Sequence, residues 1–302
     1  MTAVLVFEDV WKRYGDKIAL SGVSFEVFAG EVFGLLGPNG AGKTTGIRIL
    51  MDIVRADSGT MRLFGAPLGR EHSNRLAYLP EERGLYTKQK VIDVMVYFGK
   101  LKGLGASEAR ARARTWLERI GLSSVENQQV ERLSKGMSQK VQIAATLLSE
   151  PELCVLDEPF SGLDPVNTAL VRDLIGEIRA SGRTTILSTH QMSMVETLCD
   201  RVALLSEGKL VVYGEVNAVR RRYSASELRI SIAGELPDLP QVERVITERP
   251  GTHRLMLNDG VDPQRVLEGL LAAGVGVERY ERVLASMEDI FIRVVKHGEE
   301  RG

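Results

Sequence analysis

The segment Gly37-Pro38-Asn39-Gly40-Ala41-Gly42-Lys43-Thr44-Thr45 fits the pattern G-x-x-x-x-G-K-[ST], in which glycines let backbone amides turn around a polyphosphate and a lysine adds a point charge. Such a loop says how phosphate is held, not what is done with it, and kinases, GTPases and many ATPases stay open. Further along, the apolar run Leu153-Cys154-Val155-Leu156 ends on Asp157 and Glu158. Two adjacent carboxylates at a strand end are costly unless a cation compensates them. Between the loop and this acidic pair lies Leu133-Ser134-Lys135-Gly136-Met137, a serine placed to open a helix, and His190 follows the apolar run Thr184–Ser188. A polyphosphate cradle, a cation-seeking carboxylate pair and a titratable imidazole are the parts of a phosphate-bond chemistry.

These residues need a scaffold, and the pattern supplies one. Val4 to Val10 and Val23 to Val27 alternate as strands, and Glu31 to Leu36 is an apolar run entering the glycine-rich loop, with Thr44 to Met51 as the helix after it. That is strand, phosphate loop, helix, and the helix's free amides and dipole add to the attraction for phosphate. Met61 to Phe64 and Leu76 to Leu79 read as strands, the latter ended by Pro80-Glu81. From Val91 to Ile120 apolar residues recur at helical spacing, interrupted by Gly103 and Gly105. Leu153 to Leu156 and Thr184 to Ser188 are short enough for buried parallel strands, with a helix over Asn167 to Ala180 between them, so the core is α/β.

Near Val219 to Ser226 the composition shifts to arginine, serine and alanine, which sets a boundary near Tyr223. Beyond it Leu228 to Ile232, Val242 to Thr247, His253 to Leu257 and Gly276 to Tyr280 read as strands. Asp262-Pro263 starts a helix as cap and first residue, and Ser286 with Asp289 forms a capping box for a last one ending near His297. The order suits a small α+β domain, ferredoxin-like with its first helix degenerate.

With 302 residues and a formal net charge of −1, the chain has room for one large domain and a small appendage, and its balance of charge implies no nucleic-acid surface. The run Arg220-Arg221-Arg222 reads as a solvated helix end, with a partner or lipid headgroups as the alternative. Cys154 and Cys199 have no metal-ligand spacing and read as buried, reduced thiols. No apolar stretch is long enough to cross a bilayer and the N-terminus lacks the features of a secretion signal, so the chain is expected to be intracellular.

The Leu-Ser-x-Gly segment, lying between phosphate loop and acidic strand, resembles the signature of ABC-type ATPases, and the resemblance extends over about residues 4–212. It implies a P-loop ATPase core over 1–222 with a helical subdomain at about 91–150, followed by an accessory domain over 223–302. It implies roles as well. Lys43 reaches the β- and γ-phosphates of ATP while the amides of Asn39, Gly40, Ala41, Gly42, Lys43, Thr44 and Thr45 wrap them, and the Thr44 hydroxyl binds Mg²⁺. Asp157 holds Mg²⁺ through water, Glu158 polarises the attacking water and His190 contacts the γ-phosphate. Ser134, Lys135 and Gly136 close over the nucleotide of an opposite subunit, so that two chains complete each other's sites. Asp164, in Ser161-Gly162-Leu163-Asp164, belongs to the family's next motif and joins the nucleotide-binding set, and Tyr14 stacks on adenine.

Three positions depart from the family pattern. Lys135 and Met137 stand where Leu-Ser-Gly-Gly-Gln has glycine and glutamine, and Glu81 replaces a glutamine that ligates Mg²⁺ and senses the membrane subunit. A carboxylate also ligates Mg²⁺, so the change touches coupling more than binding.

The run Leu79 to Tyr86 and the end Ser286-Met287-Glu288-Asp289-Ile290-Phe291 look like the sodium-efflux or multidrug-export ATP-binding subunits that partner ABC-2 permeases. That implies a homodimer, or a heterodimer with a related subunit, on the cytoplasmic face of the cell membrane, driving a separate permease. Residues Glu82 to Thr87 face either a groove for the permease or solvent. The substrate is read by the permease, so sodium, drug, lipid and peptide stay equal. The alternatives are a soluble ABC-type ATPase of translation or DNA maintenance, and a catalytically idle subunit. The first lacks its doubled core or long coiled coil, and the second sits poorly with intact Lys43, Asp157, Glu158 and His190.

Overall fold

In the computed structural model the described residues are 2–82, 84–224, 227–258 and 260–297. The chain divides into two compact units, one reaching Val216 and the other starting at Asn217. The division falls at the start of a helix spanning Val216–Tyr223, whereas the composition shift placed the boundary at its end. Of that expected boundary, Ala225 and Ser226 lie outside the described residues, as does Arg83 in the run Leu79 to Tyr86.

The first unit holds two sheets. In chain order, β1 (Ala3–Tyr14) and β2 (Lys17–Phe28) form a hairpin, β3 (Val32–Leu36) leads into α1 (Lys43–Leu50), and β4 (Ser58–Leu63) and β5 (Ala66–Pro67) return to the first sheet. Next come β6 (Leu76–Leu79), α2 (Val91–Leu101), α3 (Ala106–Arg119), α4 (Lys135–Leu147), β7 (Leu153–Asp157), α5 (Pro165–Ala180), β8 (Thr184–Ser188), α6 (Met192–Leu198), β9 (Arg201–Ser206) and β10 (Lys209–Glu215). The antiparallel sheet runs β2-β1-β4-β5 and the larger one β10-β9-β3-β8-β7-β6, parallel except for the edge pair of β9 and β10.

Strands β3, β7 and β8 are buried at every residue, as parallel strands covered on both faces must be, and they carry no apolar-polar alternation; β8 buries the hydroxyls of Thr184, Thr185 and Ser188 along with Ile186 and Leu187. The two sheets share a core around α1. Phe7 stacks on Phe25 at 4.3 Å between ring centroids and Phe25 on Phe33 at 5.4 Å, with Ile47 and Leu50 of α1 in the same cluster. Fully burying side chains such as Leu5, Phe33 and Ile47 contributes roughly 1.5–3 kcal/mol each. A separate core, with Met95, Ala113, Leu117, Val141 and Leu148 at its centre, joins α2, α3 and α4 into a helical subdomain. All of that subdomain lies between β6 and β7, which are neighbours in the sheet.

The second unit begins with α7 (Val216–Tyr223) and continues β11 (Glu227–Ala233), β12 (Val242–Arg249), β13 (Thr252–Leu257), α8 (Pro263–Ala272), β14 (Gly276–Arg282) and α9 (Met287–His297). Its sheet runs β12-β13-β11-β14, antiparallel throughout, so β13 is inserted between β11 and β12 as in a split β-α-β, ferredoxin-like arrangement. The first helix is degenerate, as the sequence reading has it: residues 234–241 form an irregular connection. Val266 and Leu270 of α8 complete a core with Leu228, Ile230 and Leu255. Both expected caps form: Asp262 accepts the Gln264 amide at 3.0 Å, and Ser286 accepts the Asp289 amide at 3.0 Å while bonding its carboxylate at 2.6 Å. Among the described residues no helix is long and apolar enough to cross a membrane. Cys154 and Cys199 are free and buried, and burial pushes the Cys154 thiol up to about 12.

Candidate functional site

The phosphate loop is forced into shape by its glycines. Gly37 has φ +145° and an added Cβ would lie 2.2 Å from the Leu205 carbonyl oxygen. At Gly42, with φ +109°, it would lie 2.5 Å from that of Ala19. Any side chain at either point would drive the loop off β9 or β2. Gly42 caps α1 without a side-chain bond, and the first turn carries no acidic residue, so the helix amides stay available to an anion. Lys43 folds back over the loop, donating to the Gly37 carbonyl at 2.7 Å and the Pro38 carbonyl at 3.2 Å. Burial lowers its pKa, and the nearby charges of Glu158, Asp157 and Glu81 oppose that.

Those three carboxylates come from the carboxyl ends of neighbouring strands, β7 for the first two and β6 for Glu81. Asp157 is 3% exposed, and its pKa is raised by burial and further by Glu81 and Glu158, with Lys43 pulling the other way. Tyr78, half-buried beside it, is pushed up to about 12 by desolvation and then by the Asp157 charge. Glu158 has φ +48°, a left-handed conformation that a glutamate rarely adopts. The turn is held by its amide, which donates to the Ser188 carbonyl at 2.8 Å. It aims the carboxylate at β8's end, where Thr189 Oγ1 donates at 3.3 Å and His190 Nδ1 lies 2.7 Å from Oε1. The Glu158 side chain is 8% exposed and that of His190 66%, so the imidazole bridges a buried carboxylate to the open face.

One cleft gathers Tyr14, Lys17, Ala19, Asn39, Gly40, Ala41, Gly42, Lys43, Thr44, Thr45, Glu81, Asp157 and Glu158, with a volume of about 180 Å³. That is below the roughly 300–1,000 Å³ of an enclosed small-molecule site, and the cleft is open on one side. Every residue that the phosphate-loop, carboxylate and aromatic readings single out is in this lining. Tyr14 is 45% exposed and is part of this lining. Among the described residues no three ligating side chains converge tightly enough to hold a metal alone. The acidic end with its raised Asp157 pKa nevertheless fits Mg²⁺, which takes one or two carboxylates and completes its shell from water and phosphate oxygens.

Ser134, Lys135, Gly136 and Asp164 lie outside this lining, and so does His190 apart from its bond to Glu158. Ser134 caps α4 by accepting the Met137 amide at 3.2 Å, and it and Lys135 are exposed. Asp164 caps α5, accepting the Asn167 amide at 2.9 Å, and this bond, first among its contacts with Asn167, holds its carboxyl below the usual range. The two helix starts are adjacent: a Cβ on Gly136 would sit 3.5 Å from Asn167 Nδ2. Farther along α4, buried Gln139 donates to the Pro159 carbonyl at 3.3 Å, tying the signature helix to the turn after Glu158. Lys17 and Ala19 were not anticipated. Their signal was the hairpin: Tyr14 and Lys17 flank the two-residue turn Gly15-Asp16 and are direct partners across it, so both side chains leave the same face.

Known proteins resemble this chain in sequence and fold. The ABC transporter family matches residues 20–161, and the C-terminal domain of DrrA1-3-like ATP-binding proteins matches 214–295. The ABC transporter ATP-binding protein YhaQ of Bacillus subtilis (strain 168) is 37% identical over 97% of this chain and 98% of its own. Nod factor export ATP-binding protein I of Burkholderia lata is 33% identical over 97% of both chains. Among solved structures, an ATP-binding subunit of an ABC transporter superposes with a TM-score of 0.67 at 30% identity, covering 73% of this chain and 93% of that one. With a relative above 30% identity aligned from end to end, this chain belongs to the ATP-binding subunits of ABC transporters, with a DrrA1-3-like C-terminal domain, and it is an ATPase coupled to transport.

Proposed function

We propose that two copies of this chain close head to tail around two Mg-ATP and that hydrolysis drives a separate permease in export, from the cytoplasmic face of the membrane. The observation that carries this is the division of the motif set. The cradle, the carboxylates and Tyr14 share one cleft, while the capped start of α4 faces outward, available to a neighbour's nucleotide. Lys43 and the α1 amides hold the phosphates, and the Ser134 hydroxyl and Gly136 amide of the opposing copy cover the terminal one. Glu158 takes the proton of the attacking water, and His190 orients Glu158 and the water against it. Bound Mg²⁺ would neutralise phosphate charge beside Asp157, Thr44 and Glu81.

Export is supported by the relative named for Nod factor export. A groove of about 440 Å³ lined by Tyr78, Pro80, Leu85, Phe98, Leu101 and Gln142 would receive the permease, largely through apolar contact. It joins the helical subdomain to the Glu81 turn, so a partner seated there would feel nucleotide-driven closure. Glu158→Gln should bind ATP with near-normal affinity, lose at least about 100-fold in turnover and elute as a dimer with ATP present. Near-normal turnover in that variant, or a monomer under saturating ATP, would end the proposal.

A further inference from the structure

We infer that Lys17 is a second nucleotide-binding cation of the cleft, acting on the phosphates nearest the sugar. The inference rests on the nucleotide reading of the cleft and adds a residue that none of the sequence motifs contains. Lys17 opens β2 directly opposite Tyr14, across a turn in which Gly15 takes φ +56°. Cross-strand partners share a face, so the hairpin that presents the aromatic ring presents this ammonium beside it, and both line the cleft. Across the cleft its Nζ comes within 4.0 Å of the Cβ position of Gly40, in the middle of the phosphate loop.

The other cations near this end are engaged. Lys12 Nζ is paired with Asp57 at 2.7 Å, and Lys43 is bonded to loop carbonyls and balanced by Glu158, Asp157 and Glu81. Lys17 is exposed and has no ion pair among the described residues. Its pairing across the turn sets it beside Tyr14 in the lining. A base resting on Tyr14 with its phosphates running along the loop toward Lys43 and Asp157 passes Lys17 before reaching Lys43. The ammonium therefore meets phosphates present in both ATP and ADP, and Lys43 remains the contact at the terminal one.

The test is equilibrium binding of ATP and of ADP, without divalent cation, to the full-length wild type, Lys17→Ala and Lys17→Arg, with melting curves to establish that each is folded. Lys17→Ala should bind both nucleotides about tenfold more weakly, the scale of one exposed charge-assisted contact, and Lys17→Arg should recover most of that. In steady-state hydrolysis KM should carry the loss and kcat little of it. Wild-type affinity of Lys17→Ala for both nucleotides would overturn the inference. So would a loss confined to ATP, because it would move the contact to the terminal phosphate. A wild type that bound neither nucleotide would instead remove the reading on which the inference rests.

Discussion

Asp157 is kept at the end of β7 against its own electrostatics. Its raised pKa means that the native chain holds a proton more readily than the unfolded one, so stability falls as pH rises from the ordinary aspartate value through the raised native value. Above that window the ionised carboxylate is a net cost to the nucleotide-free protein. Asp157→Asn should therefore raise the melting temperature of that protein at pH 7 by a few degrees, about 1 kcal/mol, while abolishing Mg²⁺-dependent turnover. A melting curve with and without Mg²⁺ checks both halves, because Mg²⁺ should stabilise the wild type and leave the variant unmoved. His190 works through its bond to Glu158 at 2.7 Å. His190→Ala should lower turnover by about 100-fold with ATP affinity changed less than about threefold, measured by hydrolysis and nucleotide titration.

At the scale of elements, Ser134 is asked to do two things, cap α4 and meet a neighbour's phosphate, and substitutions separate them. Ser134→Ala should cost about 1 kcal/mol of stability through the lost cap. Ser134→Asp keeps a capping oxygen, so it should melt near the wild type yet hydrolyse ATP far more slowly, because its charge opposes phosphate. Calorimetry beside a turnover assay distinguishes the two. The elements themselves differed in legibility. Strands β6 and β8 were read to the residue because each is a short, largely buried run without alternation, bounded by an arginine before it and by Pro80 or Thr189 after it. Only the parts of β1 and β2 remote from their turn, Val4 to Val10 and Val23 to Val27, were legible, because register shifts between Val10 and Lys12 and between Lys12 and Arg13 break the alternation toward the hairpin end. The hairpin of β9 and β10 went unread. β9 is buried without alternation, β10 is mostly half-buried, and their antiparallel edge pairing on a parallel sheet has no local signature. Within the cleft, motif spacing revealed the loop and the carboxylates, but Lys17 belongs to no motif and is brought in by strand pairing alone.

At the scale of the molecule, the two units have separate cores, with Ile230 at the centre of the second. Ile230→Ala should remove about 2–4 kcal/mol from that unit and lower its own unfolding step in calorimetry, with ATPase KM and kcat within about twofold at 25 °C. A large change in catalysis would mean that the second unit supports the cleft. The first unit has a division of its own. Its helical subdomain leaves from Leu79 and returns at Leu153, on strands paired as Leu76 with Leu153 and Leu79 with Leu156. The two stems are thus set only about 10 Å apart along adjacent strands. An excursion hung from so narrow a base can lengthen, shorten or be exchanged without shifting the register of the sheet that carries the carboxylates. Evolution can therefore retune the docking face and leave the engine alone, and a chimera carrying a relative's segment 85–132, between Glu81 and Ser134, should keep its hydrolysis while changing the permease it obeys.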